Sequence, residues 1–266
     1  MSDVIAAEWL KLRSVRSTYY VLAVAALVVL FGVLLSIQGV TYYDQASPEV
    51  KARFQAIPLE EYFLPFVQLV VGILGVLAVT SEYATGTITA SLVAVPRRGV
   101  MLGGKVAATG AVTLVMGTAT IVAVFLTGRW IIGGRPFPGN TAPVADRLPL
   151  LAAMGLSVMV IALVGLGLGT LMRSTAGGVV SVVFLAFVLP SVSTYLPDPW
   201  KGRISAAMLP NLPGELAGVT ASASSITEGP FARIVGLPPL GALAVLVAYL
   251  ALALGAATLR LTRTDA

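Results

Sequence analysis

The stretch Tyr19–Ile37 reads YYVLAVAALVVLFGVLLSI and contains no acidic or basic side chain. Twelve of its residues are Val, Leu, Ile or Phe. At about −0.3 to −0.6 kcal/mol each, they favour bilayer insertion by about 4–7 kcal/mol before polar corrections. A spanning helix needs roughly 20 mostly apolar residues, and this run supplies them. A cleavable leader would have an apolar region of about 7–15 residues followed by an Ala-x-Ala-like site. This run is longer, and Ser36-Ile37-Gln38-Gly39 at its end is a poor cleavage site, so the stretch reads as a membrane span.

Working outward, five more stretches meet the same test: Tyr62–Thr80, Val106–Thr127, Leu148–Leu171, Ala176–Tyr195 and Leu237–Leu259. None contains Asp, Glu, Lys or Arg. The 266 residues are 57% hydrophobic and only 11% charged, with mean hydropathy +0.93. Soluble domains carry about 25% charged residues, so this chain cannot cover a water-facing surface and has lipid as its solvent. The predicted fold is all-α: one polytopic transmembrane domain over residues 1–266 with six spans.

Several chemistries are excluded. Cys and His are absent, which removes disulfides, thiolate and imidazole metal sites, and Ser-His or Cys-His nucleophiles. The net charge of +5 is scattered between apolar runs rather than gathered on one face, so it orients helices instead of binding nucleic acid. Glu60-Glu61 is the only adjacent carboxylate pair, and it reads as the start of the second span rather than a catalytic site. Gly99-x-x-x-x-Gly104-Lys105 imitates the first part of a phosphate-binding loop. Val106 stands where Ser or Thr would hold magnesium, and a span follows instead of a strand-loop-helix unit, so nucleotide binding is not expected.

Within the spans, the threonines at 109, 113, 118, 120 and 127 suggest a third helix that faces other helices, where hydroxyls can bond across a bundle. Gly165-x-x-x-Gly169 permits close helix approach in the fourth. Pro190 should kink or end the fifth. The connection 196–236 is rich in Pro, Ser and Gly yet holds Ala206-Ala207-Met208-Leu209. Both an extramembrane loop and a partly re-entrant piece fit it.

Six spans put both termini on one side. With the N-terminus inside, the inner segments 1–18, 81–105, 172–175 and 260–266 carry nine of the 17 basic residues in 54 positions. The positive-inside rule therefore expects both termini in the cytoplasm. Two inner segments are more than connections. In Ser2–Arg16, Val4, Ile5, Trp9, Leu12 and Val15 share one helical arc flanked by Lys11 and Arg13, which predicts an N-terminal interfacial helix. Glu8 and Arg16 also fall within that arc, and a partner for Glu8 is expected there. In Ser81–Lys105, Thr87 and Ile88 open a short helix after Gly86 and Pro96 ends it, with Arg97 and Arg98 at the headgroups.

Glu8-Trp9-Leu10-Lys11-Leu12-Arg13-Ser14 resembles the N-terminal interfacial helix of type-2 ABC transporter permeases. Glu82-Tyr83-Ala84-Thr85-Gly86-Thr87-Ile88, with Pro96-Arg97-Arg98 and Lys105, resembles that family's coupling segment between spans two and three. The six-span layout and the long connection before the last span match as well. The resemblance implies a permease subunit of an exporter for drug-like, lipid or other amphipathic cargo in a bacterial plasma membrane. It implies a separate ATP-binding subunit, where ATP and magnesium would act, and a second permease copy or homologue. It also implies that the two segments, through Glu82, Tyr83, Gly86, Thr87, Ile88, Pro96, Arg97, Arg98 and Lys105 and through Glu8, Trp9, Lys11, Leu12 and Arg13, contact the ATPase.

Two other readings stay open on the residues alone. An ion-coupled transporter commonly keeps an ionisable residue inside the membrane, and the six spans have none. A membrane anchor without transport needs no further feature.

Overall fold

The computed structural model describes residues 2–54, 58–95, 97–137, 140–197, 200–218 and 236–263, and among them every regular element is a helix. Helix α1 (Ser2–Ser14) passes through an extended Val15 into α2 (Arg16–Gln45). The short α3 (Pro48–Ala52) precedes α4 (Leu59–Thr85), and Gly86 turns the chain into α5 (Thr87–Ala94). Then come α6 (Arg98–Ile132) and α7 (Val144–Met172). The next stretch is helical from α8 (Thr175–Val183) through a π turn (Phe184–Val188) to α9 (Leu189–Ser193). Two short helices, α10 (Trp200–Ala206) and α11 (Leu212–Leu216), lead to α12 (Pro239–Arg263).

Six of these helices are long and apolar enough to cross a membrane: α2, α4, α6, α7, the α8–α9 stretch and α12. Each contains or nearly coincides with one of the spans expected from sequence. The observed helices are mostly longer, because α-helix continues past the apolar run into charged ends such as Glu60, Glu82, Arg98 and Lys105.

The burial is uneven. In α7, 83% of the most apolar window is inside the bundle, against 22% in α2, α8–α9 and α12. So α7 is the central post, and those three helices keep most of their surface for lipid or a partner. What lets α4 lie against α7 is the absence of side chains at the crossing. A Cβ on Gly75 would sit 1.8 Å from the Ala162 carbonyl oxygen, and one on Gly165 would sit 2.3 Å from that of Gly72. The close approach expected from Gly165 is therefore real, and its partner is α4. Around it, Val71, Leu74, Met154, Val158 and Ala162 form the apolar core.

Two expectations are refined. Pro190 does not end the fifth span. Its missing N–H and its ring would disturb the turn below, and a π turn over Phe184–Val188 absorbs the mismatch before the helix resumes. Thr109, Thr113 and Thr120 do face inward. The Thr113 and Thr120 hydroxyls bond along their own helix, though: Thr113 donates to the Thr109 carbonyl at 2.8 Å and Thr120 to that of Met116 at 2.8 Å. These are bonds back to the preceding turn, a common resting place for helical threonine.

The connection before the last span folds into the bundle. Ala206 is fully buried, and Leu209 and Leu212 are buried among residues of α4, α7 and α12. Gln68, nine residues into α4, donates through Nε2 to Ser157 Oγ at 3.0 Å and reaches the Leu209 carbonyl at 3.5 Å. Tyr249 of α12 donates to the Ala207 carbonyl at 3.3 Å. Protein groups from distant helices thus satisfy part of this backbone. Residues 200–216 pack against the bundle rather than hang free of it.

Candidate functional site

At the end of the bundle that carries α1 and α5, four charged side chains from three helices meet. Lys105 of α6 is the centre, with its side chain 2% exposed. An ammonium has three protons to place. Lys105 places them on Glu8 Oε2 at 2.6 Å, Glu82 Oε1 at 2.8 Å and the Ala78 carbonyl at 3.2 Å. Lys11 also has three acceptors: Glu8 Oε1 at 2.8 Å, Glu82 Oε1 at 2.9 Å and Ser91 Oγ at 3.3 Å. Two carboxylates and two ammoniums make the cluster neutral.

Each partner is delivered by a local feature. Gly104 lets α1 approach: a Cβ there would sit 2.5 Å from Val4 Cγ1. That contact brings Glu8 against α6, and Glu8 is the residue that interrupts the apolar arc of α1. At the end of α4, Gly86 adopts φ 71°, which stops the helix just after Glu82 and starts α5 at once. Only a residue without Cβ takes that conformation at little cost. Helix α5 ends at Ala94. Val95 leaves the helical region, with φ −130° and ψ 83°, in line with the bias of a residue before proline against helix. Pro96 itself lies outside the described residues.

The electrostatics follow from burial. Charges removed from water cost several kcal/mol apiece unless well paired, and a partner lost from such a set costs about 3–5 kcal/mol. Burial pulls the Lys11 pKa down, but its bonds to Glu8 and Glu82 and their negative charges outweigh this and hold it above the ordinary lysine value. Glu82 Oε2 is buried and has no hydrogen-bond partner among the described residues.

The structure sorts the sequence-expected residues into two groups. Glu8, Lys11, Glu82 and Lys105 converge, and Leu12 and Ile88 are buried. Gly86, Thr87 and Arg97 are exposed, and Tyr83 is half-buried beneath the Arg173 guanidinium, 5.5 Å from its ring. Arg98 is not free for headgroups: it donates to the Leu261 carbonyl, at the last turn of α12, where a cation also suits the helix dipole. Trp9 and Arg13 lie on the far side of α1, away from the cluster. Gly99, Gly104 and Lys105 all lie within α6, so the phosphate-loop imitation is a helix-packing and ion-pairing pattern.

Sequence reasoning missed Ser91, which ties α5 to Lys11, and Arg173, which was counted only as a basic residue. Gln68 also escaped, although a lone amide inside an apolar span is a visible signal. The opposite end holds simpler pairs: Arg147 donates to Glu61 Oε1 at 3.2 Å, and Arg135 makes two bonds to Asp44 at 2.9 and 2.6 Å. Glu61 is thus an ion-pair member at the start of α4. Among the described residues, no group of acidic side chains could hold a metal ion.

The cluster can do one thing mechanically. It fixes α1, the foot of α4, α5 and the foot of α6 as one unit, so that force on α5 reaches two spans. A family model described as ABC-2 family transporter protein matches residues 4–189, from α1 to the proline turn of the fifth span. No curated protein matches the chain.

Proposed function

The chain belongs to the ABC-2 family of transporter proteins, and from that premise we propose that it is the export permease of a complex powered by a separate ATP-binding subunit. It is a transport permease component and a multi-pass membrane protein. The direction of transport, the amphipathic cargo, a second permease copy, the plasma membrane and a cytoplasmic side for both termini are parts of the proposal. The observation that carries it is the neutral buried cluster Glu8–Lys11–Glu82–Lys105, which makes a rigid body of α1, α5 and the ends of α4 and α6.

The two groups of residues take different roles in this reading. The cluster transmits and the exposed face of α5 receives. Ile88 anchors α5 to the bundle, while Thr87, Thr89, Ala90 and Val93 point away from it, Val93 being 77% exposed. An apolar side chain displayed on a short, well-anchored helix suits a protein contact. A stiff element passes on a rigid-body movement that a slack loop would absorb. Glu82 then acts from within, holding α5 to α6, rather than by touching the ATPase first.

The test is co-purification. The chain is expressed with its ATP-binding subunit, and the complex is captured through that subunit. Val93→Asp should reduce recovery of the permease at least tenfold while its own thermal stability in detergent stays unchanged. Undiminished recovery with Val93→Asp together with Ala90→Asp would remove α5 as the docking element.

A further inference from the structure

On the side of α1 away from the charge cluster, the structure has a groove of about 290 Å³. It is bordered by Trp9 and Leu12 of α1, Leu22 of α2, and Val112, Val115 and Met116 of α6. Its rim carries Arg13. The other polar residue there, Thr18, is already satisfied, because its hydroxyl donates to the Leu12 carbonyl at 2.6 Å. The groove therefore asks for apolar atoms along its length and one negative charge at its mouth.

Its size and surroundings choose among occupants. The space is at the lower end of small-molecule sites, about 300–1,000 Å³, and a helix about 10–12 Å across would not enter it. Val115 is 69% exposed and Trp9 half exposed, so the groove opens sideways onto the apolar flank of the bundle. Arg13 makes no ion pair among the described residues, unlike Lys11 two positions earlier on the same helix. A single apolar chain bearing an anionic head at the level of α1 meets both demands.

We infer that this groove holds one acyl chain of an anionic phospholipid, with the lipid phosphate on the Arg13 guanidinium. A guanidinium pairs with phosphate through two parallel N–H bonds. Such a lipid would pack between α1, α2 and α6, and so steady the helix that supplies Glu8 and Lys11. The inference does not depend on the direction of transport or on the ATPase.

The test uses Trp9 as its own probe. The chain has three tryptophans, and Trp130→Phe with Trp200→Phe leaves Trp9 alone. This protein is reconstituted in phosphatidylcholine vesicles doped with bromine-labelled phosphatidylglycerol or bromine-labelled phosphatidylcholine. Trp9 quenching should half-saturate at about fivefold less phosphatidylglycerol, the ratio that about 1 kcal/mol per basic side chain at a membrane surface converts to. Arg13→Gln should abolish that preference, while Arg16→Gln should leave it. Val112→Phe, which fills the groove, should weaken quenching by both lipids. Equal half-saturation by the two lipids, or a preference that survives Arg13→Gln, overturns the assignment. Trp9 unquenched by either lipid also overturns it and shows that a protein segment covers the groove.

Discussion

The two ends of the bundle solve the same problem with different chemistry. At one end, α1 and α5 are held by four charged side chains that meet across up to 97 positions of sequence. At the other, beside the Arg147–Glu61 and Arg135–Asp44 pairs, the segment of α10 and α11 is held by neutral groups: Gln68 to the Leu209 carbonyl, Tyr249 to the Ala207 carbonyl, and Ser193 to Ser205 at 2.9 Å. The acidic residue of this segment, Glu215, accepts from the backbone N–H groups of Gly236 and Leu237, at 3.0 and 3.1 Å, ahead of α12. A paired, buried charge set resists rearrangement, because every displaced member strands another. Neutral hydrogen bonds net only about 0.5–1.5 kcal/mol each and exchange partners readily. The buried charge set thus ties its helices more firmly than the neutral bonds tie the segment of α10 and α11.

The comparison breaks most sharply at Lys105. Lys105→Met leaves Glu8 and Glu82 buried with only Lys11 between them, and should cost about 3–5 kcal/mol. Thermal unfolding in mild detergent should show the loss, and limited proteolysis should release α1 early. Adding Glu8→Gln should recover part of the stability, since one stranded carboxylate is gone. If both single variants and the double variant lose stability additively, the four residues are neighbours and not a cluster.

The segment of α10 and α11 should respond less in stability and more in exposure. Gln68→Leu removes two neutral bonds, for about 1–3 kcal/mol by the range above. The chain has no cysteine, so a single Met208→Cys reports on this piece without interference. Its thiol-labelling rate should rise about tenfold in the Gln68→Leu background, as 1.4 kcal/mol of opening corresponds to a factor of ten. Lys105→Met should leave that rate nearly unchanged. Equal acceleration by both substitutions would mean that the two ends open together.

The sequence exposed one end better than the other, for a physical reason. Spans announce themselves by composition, and a glycine followed at ten positions by a proline marks a short helix. Each member of the charge cluster was visible because charge is rare here: Glu8 broke an apolar arc, and Glu82 and Lys105 sat at the edges of spans. Their convergence was not visible, since it depends on Gly104 admitting α1 and on the α4–α7 crossing that Gly75 and Gly165 permit. The packing of residues 200–216 was not visible, because it rests on Gln68 and Tyr249, which arrive from distant helices. Arg98 illustrates the remaining limit. A basic residue beside a span suggests headgroups, and only the folded chain brings the last turn of α12 to it.

The finest distinction lies within the charged end, between its two lysines. Lys105 is sealed, while the Lys11 side chain is 42% exposed and so is screened by solvent. Lys11→Met should therefore cost only what a partly exposed ion pair contributes, about 0.2–1 kcal/mol. Its pH dependence has a definite sign. Because the folded chain raises the Lys11 pKa, the charged form is the one folding stabilises. That contribution is fully present below the ordinary lysine value of 10.5 and is lost as pH rises through the higher folded value. The stability difference between the unsubstituted protein and Lys11→Met, followed by thermal unfolding, should then be flat from pH 6 to 9 and shrink only above 10.5. Lys11→Arg should keep the difference at high pH, since guanidinium does not deprotonate there. A difference that already fades between pH 7 and 9 would mean that the ammonium loses its proton in the folded chain more easily than in water. That behaviour belongs to a buried lysine without adequate partners, and it would break the neutral cluster at its most exposed member.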